Sequence, residues 1–347
     1  MIIGVVGCGY WGSKHVRVLH GIQNVDQVIA VDPRESRLYD LARAFPALET
    51  ATSLDSVLSD LDAFIVATPP STHFPLAMTG LGAGKDVLVE KPLATRSPDA
   101  RRMVQFADEV SAVLMVGPTF EYNAAVWKLR ELVEMGELGA IYYLDSARLN
   151  LGLYQSDVNV VWDLAPHDVS IFNHVLGSRP DVVQAWGSRH GHQDLEDVAY
   201  IRLLYRNPRV TATIHVSWLD PCKVRRVTVV GSQKMAVYND LATEERVRIF
   251  DKGLADVDGA MQDVPMSYRY GDIRSPFLAF EEPLTIQDRM FVRSVLTRDR
   301  PPTDGVNGLN VVRALEAAEI SIREGRAVEL EEVDEGATLA GELLEVS

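Results

Sequence analysis

Two short apolar runs at the start of the chain are separated by closely spaced glycines, and an acidic residue ends the second run. The runs are residues 2–6 and 28–31, and the residues between and after them include Gly7, Gly9, Tyr10, Trp11, Gly12 and Asp32. A glycine turn from a strand into a helix lets the backbone approach a pyrophosphate, and the N–H groups at the helix start favour its negative charge. Asp32 lies twenty residues after Gly12, where a carboxylate accepts the hydroxyls of an adenosine ribose. The order of these features predicts a dinucleotide site; the alternative is an ordinary turn between a strand and a helix.

Asp32 also bears on which dinucleotide binds. Its charge repels a 2′-phosphate, which favours NAD over NADP. Arg34 and Arg37 follow closely and would neutralise such a phosphate if Asp32 turned away. The alternative is that both arginines lie at a solvated helix start, and we favour it. NAD is therefore the expected cofactor, and Arg34 is kept as a candidate cofactor-binding residue.

The chain has 347 residues, which is long enough for two domains. Hydrophobic residues make up 47% of it and charged residues 24%, which is the composition of a globular protein. The net charge of −15 argues against nucleic acid or an anionic membrane as the main partner. Two cysteines, Cys8 and Cys222, are too few for a disulfide framework and indicate reduced packing residues. The first strand begins at residue 2 and no apolar stretch is long enough to span a bilayer, so we expect neither a signal peptide nor a membrane span. These features predict a cytoplasmic protein, and no metal site is expected.

The first third of the chain alternates short apolar segments with amphipathic ones, which is typical of the doubly wound parallel sheet of a Rossmann fold. Strands are predicted at residues 2–6, 27–31, 63–67, 86–89 and 113–116, and helices between them include 15–19 and 98–109. Ser97 and Pro98 predict the N-cap and first turn of the latter helix. Residues 1–120 are therefore predicted to form an α/β domain that binds NAD.

The pattern changes after residue 120. A helix is predicted at 124–134, and segments rich in β-branched and aromatic residues follow at 141–149, 182–188, 198–205, 210–218 and 225–230. Few helices separate them, which favours an open, mostly antiparallel sheet in a second α/β domain over 121–347. An apolar face on such a sheet needs a cover, which a homo-oligomer, a dimer or tetramer, would supply. Residues 251–283 are predicted to form a long excursion or flap, and about 304–323 a closing helix.

The motif Glu90-Lys91-Pro92 ends a predicted strand of the first domain. Ligands of open parallel sheets bind outside the carboxyl ends of the strands, so we expect Lys91 to lie at the edge of the sheet where a ligand binds. Pro92 keeps Lys91 out of helical geometry and so restricts where its ammonium points. The alternative is a solvated lysine at a strand end, and this motif alone does not decide between the two.

A second candidate motif lies in the second domain, at residues 162–168, and contains Asp163, Pro166, His167 and Asp168. Proline suits the first turn of a helix, so we expect the helix that runs to residue 176 to begin near 165 or 166. His167 would then lie in the first turn, where the helix dipole disfavours a protonated imidazole and keeps a base neutral. The alternative is that His167 is a satisfied surface histidine and that both aspartates are caps; we assign Asp168 to capping.

Taken together, these motifs resemble the Gfo/Idh/MocA oxidoreductases, the family of glucose-fructose oxidoreductase and inositol dehydrogenase. The resemblance covers essentially the whole chain and rests on the glycine fingerprint, on Glu90-Lys91-Pro92, on the pair Asp163 and His167, and on the segment Ala67-Thr68-Pro69-Pro70 with Thr72 and His73. The family implies a Rossmann domain followed by an α/β domain with an open sheet. It also implies hydride transfer between a nicotinamide and a ring carbon that bears a hydroxyl.

The resemblance also implies roles for individual residues. Lys91 would bond the reacting hydroxyl, His167 would take or give its proton, and Asp163 would orient His167. Removing a hydride from C–H leaves a carbonyl, so the hydroxyl proton needs an acceptor whose pKa lies near the working pH. Four further residues would lie beside the ribose and nicotinamide of the cofactor: Thr68, Pro69, His73 and Glu90. The segment before Asp163 departs from many relatives, which have a glycine-rich approach where this chain has Val160, Val161 and Trp162, and Trp162 would narrow the substrate pocket.

Polar residues before the second motif are suited to bonding a polyol: Arg148, Asn150, Tyr154, Asp157 and Asn159. The alternative is a polar loop after a strand. With Asn123, the residues Arg148 and Tyr154 are the candidate substrate-binding residues beside Lys91, Asp163 and His167. The resemblance favours a sugar, especially a nucleotide-linked sugar that reacts at C3. Open alternatives are an NADP-linked ketosugar reductase, an inositol or cyclitol dehydrogenase and a non-catalytic dinucleotide-binding sensor.

Overall fold

The computed structural model describes residues 1–152, 154, 158–191, 193–254 and 267–333. Their contacts divide into two compact units. Met1–Tyr122 and Glu281–Arg313 form the first, and Asn123–Phe280 and Ala314–Val333 form the second. The sequence placed one boundary between 120 and 121 and kept 281–313 with the second domain, whereas here that segment packs into the first unit.

The first unit is built on a six-stranded sheet whose paired strands are all parallel. Its strands are β1 (Ile2–Val6), β2 (Gln27–Val31), β3 (Glu49–Ala51), β4 (Ala63–Val66), β5 (Asp86–Glu90) and β6 (Leu114–Gly117), and their order is β3-β2-β1-β4-β5-β6. Its helices are α1 (Tyr10–Leu19), α2 (Glu35–Ala44), α3 (His73–Gly82) and α4 (Ser97–Glu109). Strands β4, β5 and β6 are buried throughout, which explains their unbroken apolar runs. The predicted doubly wound sheet is confirmed.

Two helix starts in this unit differ from the predictions. Helix α1 begins at Tyr10 and not at residue 15, because the chain enters the helix directly after Gly9. Helix α4 begins at Ser97 with Arg96 as its N-cap and without a capping side chain. The prediction that Ser97 caps this helix was therefore wrong, since Ser97 already has helical geometry.

The second unit holds a nine-stranded mixed sheet. Its strands are β7 (Ile141–Leu151), β8 (Val182–Ser188), β9 (Val198–Tyr205), β10 (Val210–Ser217), β11 (Leu219–Gly231), β12 (Met235–Asn239), β13 (Val247–Leu254), β14 (Tyr268–Arg274) and β15 (Val328–Glu329). Their order is β14-β13-β12-β11-β7-β10-β9-β8-β15. Only β7 and β10 pair in parallel among these described strands, so the predicted open, mostly antiparallel sheet is confirmed.

Four helices follow the first unit's strands in the sequence. They are α5 (Ala124–Glu134), α6 (Val160–Leu176), α7 (Pro283–Thr297) and α8 (Gly305–Glu324). Helix α7 was not predicted from the sequence. Its Leu284, Phe291 and Val292 lie in one buried cluster with Ile3 and Val5 of β1. Burial of this apolar stripe is the physical reason that 281–313 belongs to the first unit.

The region predicted as a flap contains regular structure where it is described. Residues 251–254 end strand β13 and 268–274 form β14, which pairs with β13 in an antiparallel register. Residues 255–266 of that prediction lie outside the described part of the chain. Within the described residues, no helix is both long and apolar enough to cross a membrane.

Candidate functional site

The glycine turn has the geometry that close approach of a phosphate requires. Gly7 has φ of +92°, a left-handed value that strains any side chain. A Cβ added to Gly12 would lie 1.8 Å from the carbonyl oxygen of Gly7, so only glycine lets α1 approach the end of β1. Helix α1 then begins after Gly9 with no capping side chain and no acidic residue in its first turn. The turn therefore fits an anionic pyrophosphate on the helix N-terminus.

Asp32 ends β2 beside this turn and is fully buried. One carboxylate oxygen accepts from the main-chain N–H of Cys8 at 2.9 Å, and the other accepts from N and Nε of Arg34 at 2.9 and 3.0 Å. Burial raises the pKa of Asp32, but these donors outweigh it and hold the pKa below its usual value. The carboxylate is therefore anionic at neutral pH.

The two arginines after Asp32 are not simply at a solvated helix start. Nη1 of Arg37 lies 3.6 Å from the carboxylate of Asp32, and it would lie 3.2 Å from a Cβ on Gly9. Arg34 is the N-cap residue of α2, and its side chain remains half exposed. Our preferred interpretation of these arginines was incomplete, because the buried charge of Asp32 draws both guanidinium groups towards it.

The two cysteines differ in their surroundings. Cys8 is buried, and burial, with the charge of Asp32 second, raises the pKa of its thiol to about 12. It is therefore a neutral packing residue, as expected. Cys222 is exposed, so the prediction of a packing role was wrong for that residue.

The Glu90-Lys91-Pro92 motif lies at the carboxyl end of β5, as predicted. The Lys91–Pro92 peptide bond is cis, and Oε2 of Glu90 accepts from the main-chain N–H of Lys91 at 3.1 Å. His73 is buried, with Nδ1 2.7 Å from the carbonyl oxygen of Pro92 and Nε2 2.9 Å from that of Thr68. Burial lowers the pKa of His73, and the two carbonyls oppose that effect. His73 thus joins the segment after β4 to the segment that carries Lys91.

The remaining predicted cofactor residues lie around the same sheet edge or the start of α1. Thr68 accepts a hydrogen bond from the hydroxyl of Thr72 at 2.7 Å, and Pro69 precedes the short 3₁₀ helix Pro70–Thr72. Tyr10 is 72% exposed at the start of α1 and meets Trp11 edge to face. These positions are open to a ligand, unlike that of His73.

Glu90 has a second set of partners that the sequence did not predict. Its Oε1 lies 3.1 Å from Nε2 of His15 on α1, and Nδ1 of His15 lies 2.9 Å from Asp288 on α7. A histidine among the apolar residues of α1 is a weak signal for a buried polar group. Asp288, 273 positions away, carries no signal that connects it to His15.

In the second unit, the predicted pair Asp163 and His167 lies on α6, four residues apart and hence on one face of the helix. The helix start differs from the prediction. Asn159 is the N-cap, and its side chain accepts from the N–H groups of Val161 and Trp162 at 3.1 and 3.2 Å. This cap starts the helix at Val160 and places Pro166 in its interior.

That difference changes the argument about His167. Asp163 lies in the first turn, whereas His167 lies beyond it, away from the helix N-terminus. The helix dipole acts within the first turn, so it does not support the expectation of a neutral His167. Asp168 does not cap the helix either. It is buried and forms an ion pair with Arg148, with Nε to Oδ2 at 2.8 Å.

Asp163 has a partner that the sequence did not reveal. The indole N–H of Trp218 donates to Oδ2 of Asp163 at 2.9 Å, and Trp218 is itself 1% exposed. The main-chain N–H of Trp218 donates to Asp197 O, and the ring of Tyr154 lies 5.2 Å from the indole between centroids. Trp218 ends the strand predicted at 210–218 and follows the observed β10, like many buried aromatic residues, so spacing could not identify this contact.

The predicted substrate residues lie in different surroundings. Arg148 is buried on β7 in its ion pair with Asp168. Asn123 caps α5 through Ala125 N, and its amide donates to the hydroxyl of Tyr238 at 3.1 Å. The hydroxyl of Tyr154 donates to Asp197 at 3.1 Å, and its ring is partly exposed. Of the other polar residues before the motif, Asn150 lies on β7, Asn159 is a helix cap, and Asp157 lies outside the described residues.

Comparison with known proteins agrees with this arrangement. Residues 1–118 match the family described as "Oxidoreductase family, NAD-binding Rossmann fold", and residues 126–237 match the "GFO/IDH/MocA C-terminal domain". The chain is 25% identical to a myo-inositol 2-dehydrogenase of Thermotoga maritima, over 96% of this chain and 99% of that protein. It is 27% identical to a UDP-N-acetylglucosamine 3-dehydrogenase of Acidithiobacillus ferrooxidans, over 90% and 95%.

A solved structure is similar along nearly the whole chain. The crystal structure of GenD2 from gentamicin A biosynthesis, in complex with NAD, superposes with a TM-score of 0.79 at 28% identity, and the match covers 95% of this chain and 96% of that one. Both family domains are thus matched in order, on the two units that the structure shows. The chain belongs to the Gfo/Idh/MocA family of oxidoreductases.

Proposed function

We propose that this protein is an NAD-dependent dehydrogenase that acts on a ring carbinol of a sugar, with a nucleotide-linked sugar reacting at C3 as the favoured substrate. The observation that carries the proposal is the pair Asp163 and His167 on one face of α6, with Asp163 held by Trp218. An aspartate that only capped the helix would need no buried partner such as Trp218. The relatives named above act on an inositol or on a nucleotide-linked sugar, which supports this substrate class.

Three side chains carry the proposed roles in the reaction. A bound nicotinamide supplies or accepts the hydride at the carbinol carbon. His167 takes the hydroxyl proton when the alcohol is oxidised and returns it when the ketone is reduced. Lys91 donates a hydrogen bond to the same oxygen and stabilises its developing negative charge. Asp163 orients the imidazole of His167, as a carboxylate partner does for many catalytic histidines.

The test is turnover with substitution of the two acting residues. Lys91→Ala and His167→Ala are each expected to lower kcat by about 10²-fold or more, because a positioned proton donor or acceptor typically contributes that much. Affinity for the cofactor should change little in His167→Ala. Lys128→Ala, on the surface of α5, is the matched control and should retain full activity. Full activity of both test variants on an identified substrate would show that Lys91 and His167 do not carry the chemistry, whereas absence of turnover by the unmodified protein would favour the non-catalytic sensor.

The substrate is identified by an absorbance screen at 340 nm, the band of reduced nicotinamide. NAD and NADH are offered with nucleotide sugars, free sugars and inositols in parallel. Turnover confined to nucleotide sugars supports the favoured substrate. Turnover confined to inositols identifies the protein as a cyclitol dehydrogenase, and turnover of free sugars alone excludes both of those assignments.

NAD is the proposed cofactor because the buried, anionic carboxylate of Asp32 repels a 2′-phosphate. A second candidate, an NADP-linked ketosugar reductase, is favoured by the two guanidinium groups of Arg34 and Arg37 beside Asp32. Binding of both cofactors to the unmodified protein, to Asp32→Ala and to Arg34→Ala separates the two. NAD should bind more tightly to the unmodified protein, and Asp32→Ala should narrow the difference. Equal or tighter binding of NADP by the unmodified protein would contradict the proposal.

We also propose that the protein forms a homo-oligomer through its nine-stranded sheet. Helix α6 packs on β7, β9 and β10 from one side. Side chains in alternate positions over much of β8, β9 and β10 are exposed or half-buried, including Trp186, Tyr200 and His215. Their rings stack at centroid distances of 4.2 and 3.9 Å across neighbouring strands. A second copy of the same face would remove this aromatic surface from water.

A further inference from the structure

Three ionisable side chains from distant parts of the sequence meet inside the first unit. His15 comes from α1, Glu90 from the end of β5, and Asp288 from α7. The exposed fractions of these residues are 0%, 5% and 0%. The imidazole lies between the two carboxylates, with Nε2 at 3.1 Å from Glu90 and Nδ1 at 2.9 Å from Asp288.

The geometry determines the protonation state of His15. An ionised carboxylate only accepts hydrogen bonds, so between ionised Asp288 and Glu90 both ring nitrogens of His15 donate, as only the imidazolium can. Burial raises the pKa of Asp288, and the charge of His15 and its hydrogen bond oppose that rise. Burial lowers the pKa of His15, but Asp288 and Glu90 outweigh it and raise the pKa to about 10. Tyr122 is the other titratable group close to Asp288, and its hydroxyl is bonded to Thr303. His15 is therefore a buried cation at neutral pH.

Glu90 connects this cation to the lysine motif. While Oε1 faces His15, Oε2 accepts from the main-chain N–H of Lys91. The next peptide is also held, because the carbonyl oxygen of Pro92 is bonded to the buried His73. The backbone on both sides of Lys91 is thus attached to buried groups, and the attachment on the Glu90 side depends on the imidazolium.

We propose that His15 is a positioning residue, which as a buried imidazolium shared with Asp288 fixes the carboxylate of Glu90 and thereby the main chain that carries Lys91. The inference rests on the proposed function, in which Lys91 bonds the reacting oxygen. Because His15 lies on the helix whose N-terminus forms the predicted pyrophosphate site, the same contact ties the cofactor turn to Lys91. Glu90, which was expected to contact the nicotinamide end, acts here through the backbone.

The variant that tests the proposal must keep the charge of the cluster. His15→Gln alone leaves two buried carboxylates without a cation and is expected to be unstable for that reason. The double variant His15→Gln/Asp288→Asn has one carboxylate, so its net charge of −1 equals that of the native cluster of one cation and two anions. His20→Gln, at the exposed histidine that ends α1 as its C-cap residue, is the matched control.

The first readouts do not require turnover. Nitrogen-15 NMR of the imidazole at pH 8 should show both nitrogens of His15 protonated. Hydrogen exchange of the Lys91 amide should be slow in the native protein and at least about tenfold faster in the double variant. A singly protonated His15, or unchanged exchange at Lys91, would overturn the proposal.

The second readout separates positioning from stability. In the double variant, kcat should fall about tenfold or more, while KM for the substrate and the affinity for NAD each change less than about threefold. His20→Gln should match the native enzyme. A double variant with native kcat would overturn the role of His15. If the native protein turns over no sugar or cyclitol, the proposed function fails, and the NMR and exchange results alone decide the position of His15.

Discussion

At the scale of single residues, the predicted chemistry depends on partners that hold each functional group. Asp163 is held by Trp218, Glu90 by His15, and Asp32 by Arg34. Each partner donates a hydrogen bond to a carboxylate, and each of these carboxylates would be costly to bury without it. The functional groups and most of their partners lie far apart in the sequence, which is why motifs reveal the former and not the latter.

Trp218→Phe removes one N–H donor and keeps most of the ring. A hydrogen bond to a charged group contributes about 1.5–3 kcal/mol, so loss of the oriented carboxylate should lower kcat by roughly tenfold to a hundredfold. KM for the cofactor should not change. Trp127→Phe, on the exposed side of α5, is the control. Steady-state kinetics with the identified substrate measure kcat and KM of both variants. A native kcat in Trp218→Phe would show that the indole does not position Asp163.

The raised pKa of His15 predicts how stability depends on pH. The folded pKa of about 10 exceeds the ordinary value of 6.5, so the stabilisation by His15 is fully present below pH 6.5 and is lost as the pH rises towards 10. Between those values, the free energy of unfolding should fall by up to about 1.4 kcal/mol per pH unit from this group.

Urea denaturation at several pH values, with His15→Gln/Asp288→Asn as reference, isolates this contribution. The difference in unfolding free energy between native protein and variant should shrink from pH 6.5 to 10. A difference that stays constant over that range would mean that His15 titrates alike in the folded and unfolded states.

At the scale of elements, helix α6 carries the predicted acid–base pair and is fixed at its start. Asn159 caps the first turn and also donates to Glu196 at 2.9 Å, while Gly177 ends the helix in a left-handed conformation. Pro166 in the interior has no N–H to donate, which weakens the helix between Asp163 and the following turn. The cap and the buried apolar face compensate, so the helix passes through the proline.

Asn159→Ala should therefore destabilise the protein by about 1–2 kcal/mol, because the N–H groups of Val161 and Trp162 lose their acceptor. Asn159→Ser keeps a capping hydroxyl and should lose less. Because Asp163 lies in the first turn of α6, which would fray without its cap, Asn159→Ala should also lower kcat. Thermal melting and kinetics measure the two effects. Equal melting temperatures for the alanine and serine variants would contradict a capping role.

At the scale of the whole molecule, the chain consists of two units whose sheets differ in type. Helix α7 packs with the parallel sheet although it follows the second sheet in sequence, and β15 adds to the edge of the second sheet beside β8. The chain therefore leaves the first unit at Tyr122 and returns to it at Glu281. The exposed aromatic rows of the second sheet are the surface proposed for self-association.

Trp186→Arg should dissociate the proposed oligomer, because it places a charge in the middle of the stacked rings of Trp186, Tyr200 and His215. Light scattering after size-exclusion chromatography should give a mass of two or more chains for the native protein and one chain for the variant. Trp127→Arg, on exposed α5, should leave the mass unchanged. A monomeric native protein at high micromolar concentration would rule out this interface.

Sequence patterns alone predict the parallel sheet, the mostly antiparallel second sheet, the glycine turn with Asp32, and the position of Lys91 after β5. These depend on local rules, since hydrophobic periodicity, glycine geometry and strand ends are encoded within a few residues. Other predictions failed where a second local signal or a long-range contact opposed the one that was used. Asn159 overrode Pro166 as the start of α6, Arg148 drew Asp168 away from capping, and burial of α7 added a late segment to the first unit.

Which charged groups are buried together is visible only in the folded molecule. His15 and Asp288 are 273 positions apart, and Trp218 lies 55 positions from Asp163. Neither pair is visible as a motif, because a side chain needs a partner only once folding has removed it from water, and the partner is chosen by packing and not by spacing. The residues that would carry the chemistry can thus be found in the sequence, whereas the residues that hold them in place are defined by the fold.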